Sequence, residues 1–106
     1  MPKFLMTTSY TLEGAKGLRK DGGTKREHAV RAAVESLGGK LESFYFCFGE
    51  DDAFVIADLP NAAAAAALSL AVASSGAAKC RTTPLLTAAE MDHAVSSKTA
   101  YRAPGQ

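Results

Sequence analysis

The order of strand-like and helix-like segments constrains the fold of this chain more than any other feature. Patterns typical of strands and helices alternate along it, with strands at 3–10, 40–48, 53–59 and 79–86 and helices at 24–37 and 62–74. Such a βαββαβ chain folds into a four-stranded antiparallel sheet of order 4-1-3-2, with both helices on one face. We therefore predict an α+β domain of the ferredoxin-like type.

Capping residues mark the start of the first main helix. Thr24 and Glu27 match a capping box, in which each side chain binds a free backbone N–H group. The apolar stripe of this helix comprises Ala29, Val30, Ala33, Val34 and Leu37. Four glycines interrupt the preceding segment 11–23, which we interpret as a long connection with at most a short helical turn.

The second half of the chain shows similar boundaries. Asn61 is predicted to cap the second helix. Thr87 and Glu90 form another capping-box pattern, which predicts a short third helix through about Val95. We predict one domain over residues 1–95 and a loose tail over 96–106.

The composition is that of an ordinary globular chain. The 106 residues are 47% hydrophobic and 22% charged, with a formal net charge of +1. A net charge near zero disfavours binding to nucleic acid or to an anionic membrane, since both depend on excess positive charge. The longest apolar run, Ala62–Ala73, is shorter than the ~20 residues of a membrane span. With no export signal at the N-terminus, we expect a cytoplasmic protein.

The two cysteines are predicted to stay reduced. Cys47 and Cys80 fall in the second and fourth strands, which occupy opposite edges of the predicted sheet. Three strand spacings separate them by ~14 Å, whereas the Cα atoms of a disulfide lie within ~7 Å of each other. We expect no intrachain disulfide.

Apolar side chains fall on both faces of the second strand. Strict alternation places Leu41, Ser43, Tyr45 and Cys47 on one face and Glu42, Phe44, Phe46 and Phe48 on the other. The helices cover only one face, so large apolar side chains remain on the other. We predict a homodimer whose two sheets pack face to face. The alternative is that the chain's own C-terminal segment folds over that face.

Three features resemble the GYD-domain family: an opening strand that ends near Tyr10, the segment Leu37–Lys40, and the run Phe44–Asp52. The similarity extends from about residue 3 to residue 90. It implies a ferredoxin-like fold of the dimeric α/β-barrel group, as found in small bacterial proteins whose biochemical role is uncharacterised.

The family takes its name from a glycine, tyrosine and aspartate pattern at the central hairpin. Gly49 and Asp52 fit this pattern, but Asp51 stands where tyrosine is usual. No role of that tyrosine can therefore be carried over to this chain.

Polar side chains collect at one end of the predicted sheet, where the first strand ends, the first main helix begins and the central hairpin turns. The candidate ligand-binding residues there are Tyr10, Lys25, Arg26, His28 and Asp52. Lys25 and Arg26 would attract a small anion to the helix start. A catalytic alternative pairs Asp52 with His28 as acid and base, with Tyr10 as proton donor.

No residue pattern specifies a catalytic centre, a metal site or a cofactor. His28 and His93 lie far apart in the chain, and both cysteines are in strands, so the ligand spacing of a zinc site is absent. The acidic triplet Glu50–Asp52 is typical of a solvated turn rather than of a calcium loop.

We therefore predict a non-enzymatic or regulatory dimer, without a cofactor, that binds a small anionic or apolar molecule in a pocket between sheet and helices. Two alternatives stay open. One is a cofactor-independent enzyme of the oxygenase or isomerase type, by analogy with dimeric α/β-barrel relatives. The other is an assembly protein without a ligand site.

Overall fold

A computed structural model describes residues 1–106. Its elements in chain order are β1 (Lys3–Tyr10), α1 (Leu12–Asp21), α2 (Gly23–Ser36), β2 (Lys40–Phe46), β3 (Ala53–Asp58), α3 (Ala62–Ser74), β4 (Ala78–Leu85) and α4 (Ala88–Ser96). The strands form one sheet in the order β2-β3-β1-β4, and every neighbouring pair is antiparallel. The ferredoxin-like α+β fold and the 4-1-3-2 order are thus confirmed.

The hydrophobic core lies between the sheet and two of its helices. Val34 of α2 and Leu68 of α3 are buried against alternate residues of the strands, which include Phe4, Met6, Leu41, Val55 and Ala57. Helix α2 packs on the outer strand β2, whereas α3 packs on the opposite edge strand β4. The two helices therefore cover opposite edges of the same face and leave a space above the two central strands.

Helix α1 replaces the connection predicted for residues 11–23. The Thr11 hydroxyl caps it by accepting the N–H of Gly14 at 3.2 Å. Gly14 is buried, and a Cβ atom there would overlap the backbone oxygen of Ala77. This glycine permits a close approach of two backbones instead of breaking the helix, and the prediction of a long connection was wrong for that reason.

The capping box predicted at Thr24 is also wrong. Helix α2 begins one residue earlier, at Gly23, and Gly22 occupies the cap position without a side-chain hydrogen bond. Gly22 has φ +84°, a conformation that separates α1 from α2. Thr24 therefore lies inside the first turn, where its hydroxyl cannot cap the helix.

The predicted assignment of β2 side chains to the two faces of the sheet is wrong, because the strand contains a β-bulge. Leu41 pairs with Ala57, but the next paired residue is Ser43, opposite Ile56. The extra residue, Glu42, shifts the alternation by one. Leu41, Phe44 and Phe46 consequently face the helices, and Ser43 and Tyr45 face the opposite side. The strand ends at Phe46, two residues before the predicted end.

The uncovered face of the sheet is apolar along its middle. Cross-strand pairing places Tyr45, Phe54, Ile56 and Leu5 on it together, because directly paired residues share a face. Tyr45 is 72% exposed and Phe54 is 40% exposed. We call this surface, which these four residues define, the free face.

An ion cluster lies on the same side of the sheet, at the start of β1. The Lys3 ammonium group contacts Glu42 at 2.7 Å and Asp58 at 2.9 Å. Hydrogen bonding to Glu42, and then to Asp58, raises the pKa of Lys3.

The predicted caps of the later helices are confirmed. Asn61 accepts the N–H of Ala64 at the start of α3, and Thr87 and Glu90 form both hydrogen bonds of a capping box at the start of α4. No residue of α4 is buried. The radius of gyration is 16.8 Å, against ~13 Å for a compact domain of this length. The segment from Leu86 to Gln106, exposed throughout, thus extends away from the sheet.

Cys47 and Cys80 are free thiols. Cys80 lies in β4, whereas Cys47 follows the end of β2 by one residue. These two strands form the opposite edges of the sheet, as predicted. None of the four helices combines the length and the apolar character needed to cross a membrane.

Candidate functional site

A cavity of about 280 Å³ occupies the space between α2 and α3, above the central strands. It exists because the two helices pack over opposite edges of the same face. The side chains lining it from α3 and the following loop include Ala71 and Ala77, which are too small to close it. Ala71 is exposed, so the cavity opens to solvent beside α3. Its volume is close to the lower end of the range of small-molecule sites.

The cavity wall is predominantly apolar. Thirteen of its sixteen lining residues are hydrophobic, and the other three are Thr8, Arg26 and Ser75. All four strands and both packed helices contribute, including Met6, Val30, Phe44, Val55 and Val72. Arg26 is the only charged residue in the lining, so any charge recognition in the cavity depends on it.

Tyr10 forms part of the wall at the end of β1. Burial raises the pKa of its phenol; the nearby Arg26 charge opposes this shift, and the Asp52 carboxylate reinforces it. The phenol therefore stays protonated at neutral pH and can donate a hydrogen bond. The predicted proximity of Tyr10 and Arg26 is present, since both residues line the cavity.

A smaller cleft of about 160 Å³ adjoins the cavity, between α1 and α2. Tyr10 and Arg26 border both spaces. Lys25 lines only the cleft, together with the acidic residues Glu13 and Asp21. The two cations predicted to act jointly at the start of α2 therefore share the cleft, but only Arg26 also borders the cavity.

The remaining two candidate residues do not form an acid–base pair. Asp52 accepts the backbone N–H of Tyr10 at 2.7 Å, and its own N–H donates to the carbonyl oxygen of Thr8 at 2.9 Å. Asp52 thus attaches the β2–β3 hairpin to β1. His28 is exposed and lines neither space, so the geometry brings together Tyr10, Arg26 and Asp52 but leaves His28 apart.

Cys80 lines the cavity as well, although no pattern in the sequence indicated that it would. Its thiol lies 3.9 Å from the Thr8 hydroxyl, and burial raises its pKa. A thiol in this environment stays protonated and is a poor nucleophile. No group of three histidine, cysteine, aspartate or glutamate side chains is arranged to hold a metal ion.

The hairpin that closes this end of the molecule contains the segment from Gly49 to Asp52. Asp51 accepts a hydrogen bond from the Arg81 guanidinium at 3.5 Å, and its backbone oxygen accepts one from the Cys47 thiol at 3.3 Å. Asp51 and Asp52 therefore connect the hairpin to β4 and to β1, respectively.

Comparison with known proteins agrees with the likeness noted in this hairpin. The GYD domain family matches residues 4–95, which is most of the chain. The chain belongs to the GYD-domain family. No curated protein and no solved structure shows a significant match to it. Within this GYD domain, the matched region contains every lining residue of the cavity and both residues of the Asp51–Arg81 contact.

Proposed function

We propose that this GYD domain is a binding protein that takes a small, largely apolar molecule into the cavity between its sheet and helices. The observation that supports this proposal is the lining itself, thirteen apolar residues out of sixteen drawn from all four strands and two helices. Transfer of an apolar molecule from water into a cavity with such a wall is favourable by ~25 cal/mol for each Å² of apolar surface buried.

The chemistry of the lining favours binding over catalysis. Burial raises the pKa values of Tyr10 and Cys80, which leaves both groups protonated instead of activating them as nucleophiles. Asp52 is engaged by the Tyr10 backbone, and His28 lies outside the cavity. No aspartate, glutamate or histidine lines the cavity, so none of the usual general bases is positioned there to take a proton from a bound molecule.

A matched pair of substitutions on α3 tests the binding site. Ala71 lines the cavity, whereas Ala73 does not, and both residues are exposed. Ala71→Phe should obstruct the mouth and weaken binding of the neutral probe octanamide by at least about tenfold. Ala73→Phe should change it less than about twofold, since most exposed substitutions have small effects. NMR titration of the backbone amides measures both affinities, and equal weakening by the two variants would refute the site.

We further propose that the domain acts as a homodimer in which the free faces of two copies meet. Tyr45 and Phe54 are cross-strand neighbours that expose aromatic surface beside Ile56 and Leu5. A patch of this kind is unfavourable in water and is typical of an interface. A second copy brings the same apolar residues, which makes the surface self-complementary about a two-fold axis.

The area of the free face suggests that α4 takes part in this dimer. Four strands of this length give the sheet a footprint of about 450 Å², whereas a stable interface buries about 800 Å² on each partner. Helix α4 exposes Met91 and Val95, one helical turn apart, and buries nothing on its own chain. An isolated helix of nine residues is barely stable in water, so contact with the partner copy would supply both the missing area and its stabilisation.

A further inference from the structure

We propose that the molecule bound in the cavity is a small amphipathic carboxylate, with its apolar part inside and its carboxylate on the Arg26 guanidinium. This inference rests on the binding function proposed above and adds the chemical class of the ligand. Aliphatic and aromatic acids both belong to this class, because the lining of the cavity is predominantly apolar and does not distinguish between them.

The first observation is that Arg26 has no anionic partner. It is half-buried and is the only charged residue in the cavity lining. None of the salt bridges of the chain includes it, since these involve Lys3 and Arg81. A cation beside apolar surface loses part of its hydration, and an incoming carboxylate restores the lost interactions with two parallel hydrogen bonds.

The second observation is the position of Tyr10 beside this arginine. Both residues line the same two spaces, and the Arg26 charge acts on the Tyr10 phenol. The protonated phenol gives a second donor for a carboxylate oxygen. The carboxylate that lies near Tyr10, Asp52, accepts the Tyr10 backbone N–H instead of pairing with Arg26.

The distribution of acidic residues places the anion in the cavity rather than in the adjoining cleft. No aspartate or glutamate lines the cavity. Glu13 and Asp21 line the cleft, which Lys25 and Arg26 also border, and their negative charges oppose the entry of an anion there. An anion with an apolar body therefore finds a cation and apolar surface without carboxylates in the lining only on the cavity side of Arg26.

The experiment compares octanoate with octanamide, two probes of nearly equal shape that differ in charge. In wild-type protein, octanoate should bind at least about tenfold more tightly, the effect of a charge-assisted hydrogen-bonded pair. Arg26→Gln should abolish this preference, so that the two probes bind with affinities within about twofold of each other. Arg26→Lys should retain part of it, since the charge remains but the paired geometry is lost. Lys25→Gln is the matched control and should leave the preference intact.

The outcomes separate this inference from the proposed function. Equal affinities of the two probes in wild-type protein would refute the carboxylate while leaving the binding function in place. Loss of the preference in Lys25→Gln but not in Arg26→Gln would move the anion into the cleft and refute the inference. Failure of both probes to bind would contradict the proposed function as well. Backbone NMR spectra of each variant establish that it is folded.

Discussion

The two faces of the sheet differ in how completely the chain covers them. On the helix side, Val55 is 4% exposed and packs in the core. The preceding residue of the same strand, Phe54, points to the opposite side and is 40% exposed. The alternation of a strand thus supplies a buried surface and an uncovered one from neighbouring residues.

This difference separates two proposed roles. The helix side contains the core and the cavity, whose lining depends on the positions of α2 and α3. The free face presents instead a broad apolar surface with Tyr45 and Phe54 at its centre. A small molecule suits an enclosed apolar space, whereas a second protein suits a flat apolar patch. Substitutions on one face should therefore leave the role of the other unchanged.

The largest effect is expected at the free face. Tyr45→Glu should raise the dissociation constant of the dimer at least about 100-fold, because the two-fold axis places an unpaired charge in the interface twice. Phe48→Glu is the matched control, since Phe48 is 99% exposed in the hairpin loop and lies outside the sheet. Sedimentation velocity over a range of concentrations measures the constant. A Tyr45→Glu variant as dimeric as wild-type protein would contradict the interface.

The next largest effect is expected on stability, at Gly14 of α1. A Cβ atom there would overlap the backbone of Ala77, so Gly14→Ala should lower the free energy of unfolding by about 2–3 kcal/mol. Gly17, in the same helix, has open space where its Cβ atom would lie, with no neighbouring atom within 4 Å. Gly17→Ala should therefore stabilise the protein by about 0.5–1 kcal/mol. Urea unfolding of the two variants tests the opposite signs, and two changes of the same sign would disprove the close contact.

Adjacent residues of β3 compare the two faces directly. Val55→Ala should cost about 2 kcal/mol at every protein concentration, because Val55 is buried within its own chain. Ile56→Ala should cost about 1 kcal/mol where the dimer dissociates and more where it forms, since the proposed partner copy would cover this side chain. Thermal unfolding at several concentrations distinguishes them. A loss of stability in Ile56→Ala that does not depend on protein concentration would count against the dimer.

The smallest effect concerns the cap of α4. Hydrogen bonds from Thr87 lower the pKa of Glu90 below its ordinary value of 4.5. A carboxyl group with a lowered pKa stabilises the folded helix above the ordinary value, and this contribution is lost as the pH falls through the lowered one. The backbone N–H of residue 87 makes the larger contribution and is retained in Thr87→Ala, which removes only the hydroxyl. This variant should therefore raise the pKa of Glu90 part of the way towards 4.5, as measured by NMR titration of its carboxyl carbon. An unchanged pKa would mean that the capping box does not hold in solution.

Local chemistry explains which parts of the fold could be predicted from the sequence. The caps at Asn61 and Thr87 depend on residues three positions apart, and such patterns are visible in one segment. The bulge at Glu42 and the close approach of Gly14 to Ala77 depend on neighbouring elements instead. Strict alternation and the usual meaning of glycine therefore led to wrong predictions at both positions.

Only part of the candidate site could be predicted, because some of its residues come together through contacts between separate elements. Topology brings the end of β1 to the start of α2, which is why Tyr10 and Arg26 were identified and line one cavity. His28 was chosen for its chemistry and is exposed. Val72 and Cys80 carry no signal in the sequence, because they become lining residues only through the separation of α2 from α3.

The central claim is that the small molecule binds on the helix side and not on the free face. Intermolecular nuclear Overhauser effects between octanamide and the protein test it most directly, because they report only protons in close proximity. We predict contacts from the probe's methylene protons to the methyl groups of Met6 and Val72, which line the cavity. Contacts to the rings of Tyr45 and Phe54 in their place would locate the probe on the free face and contradict this claim.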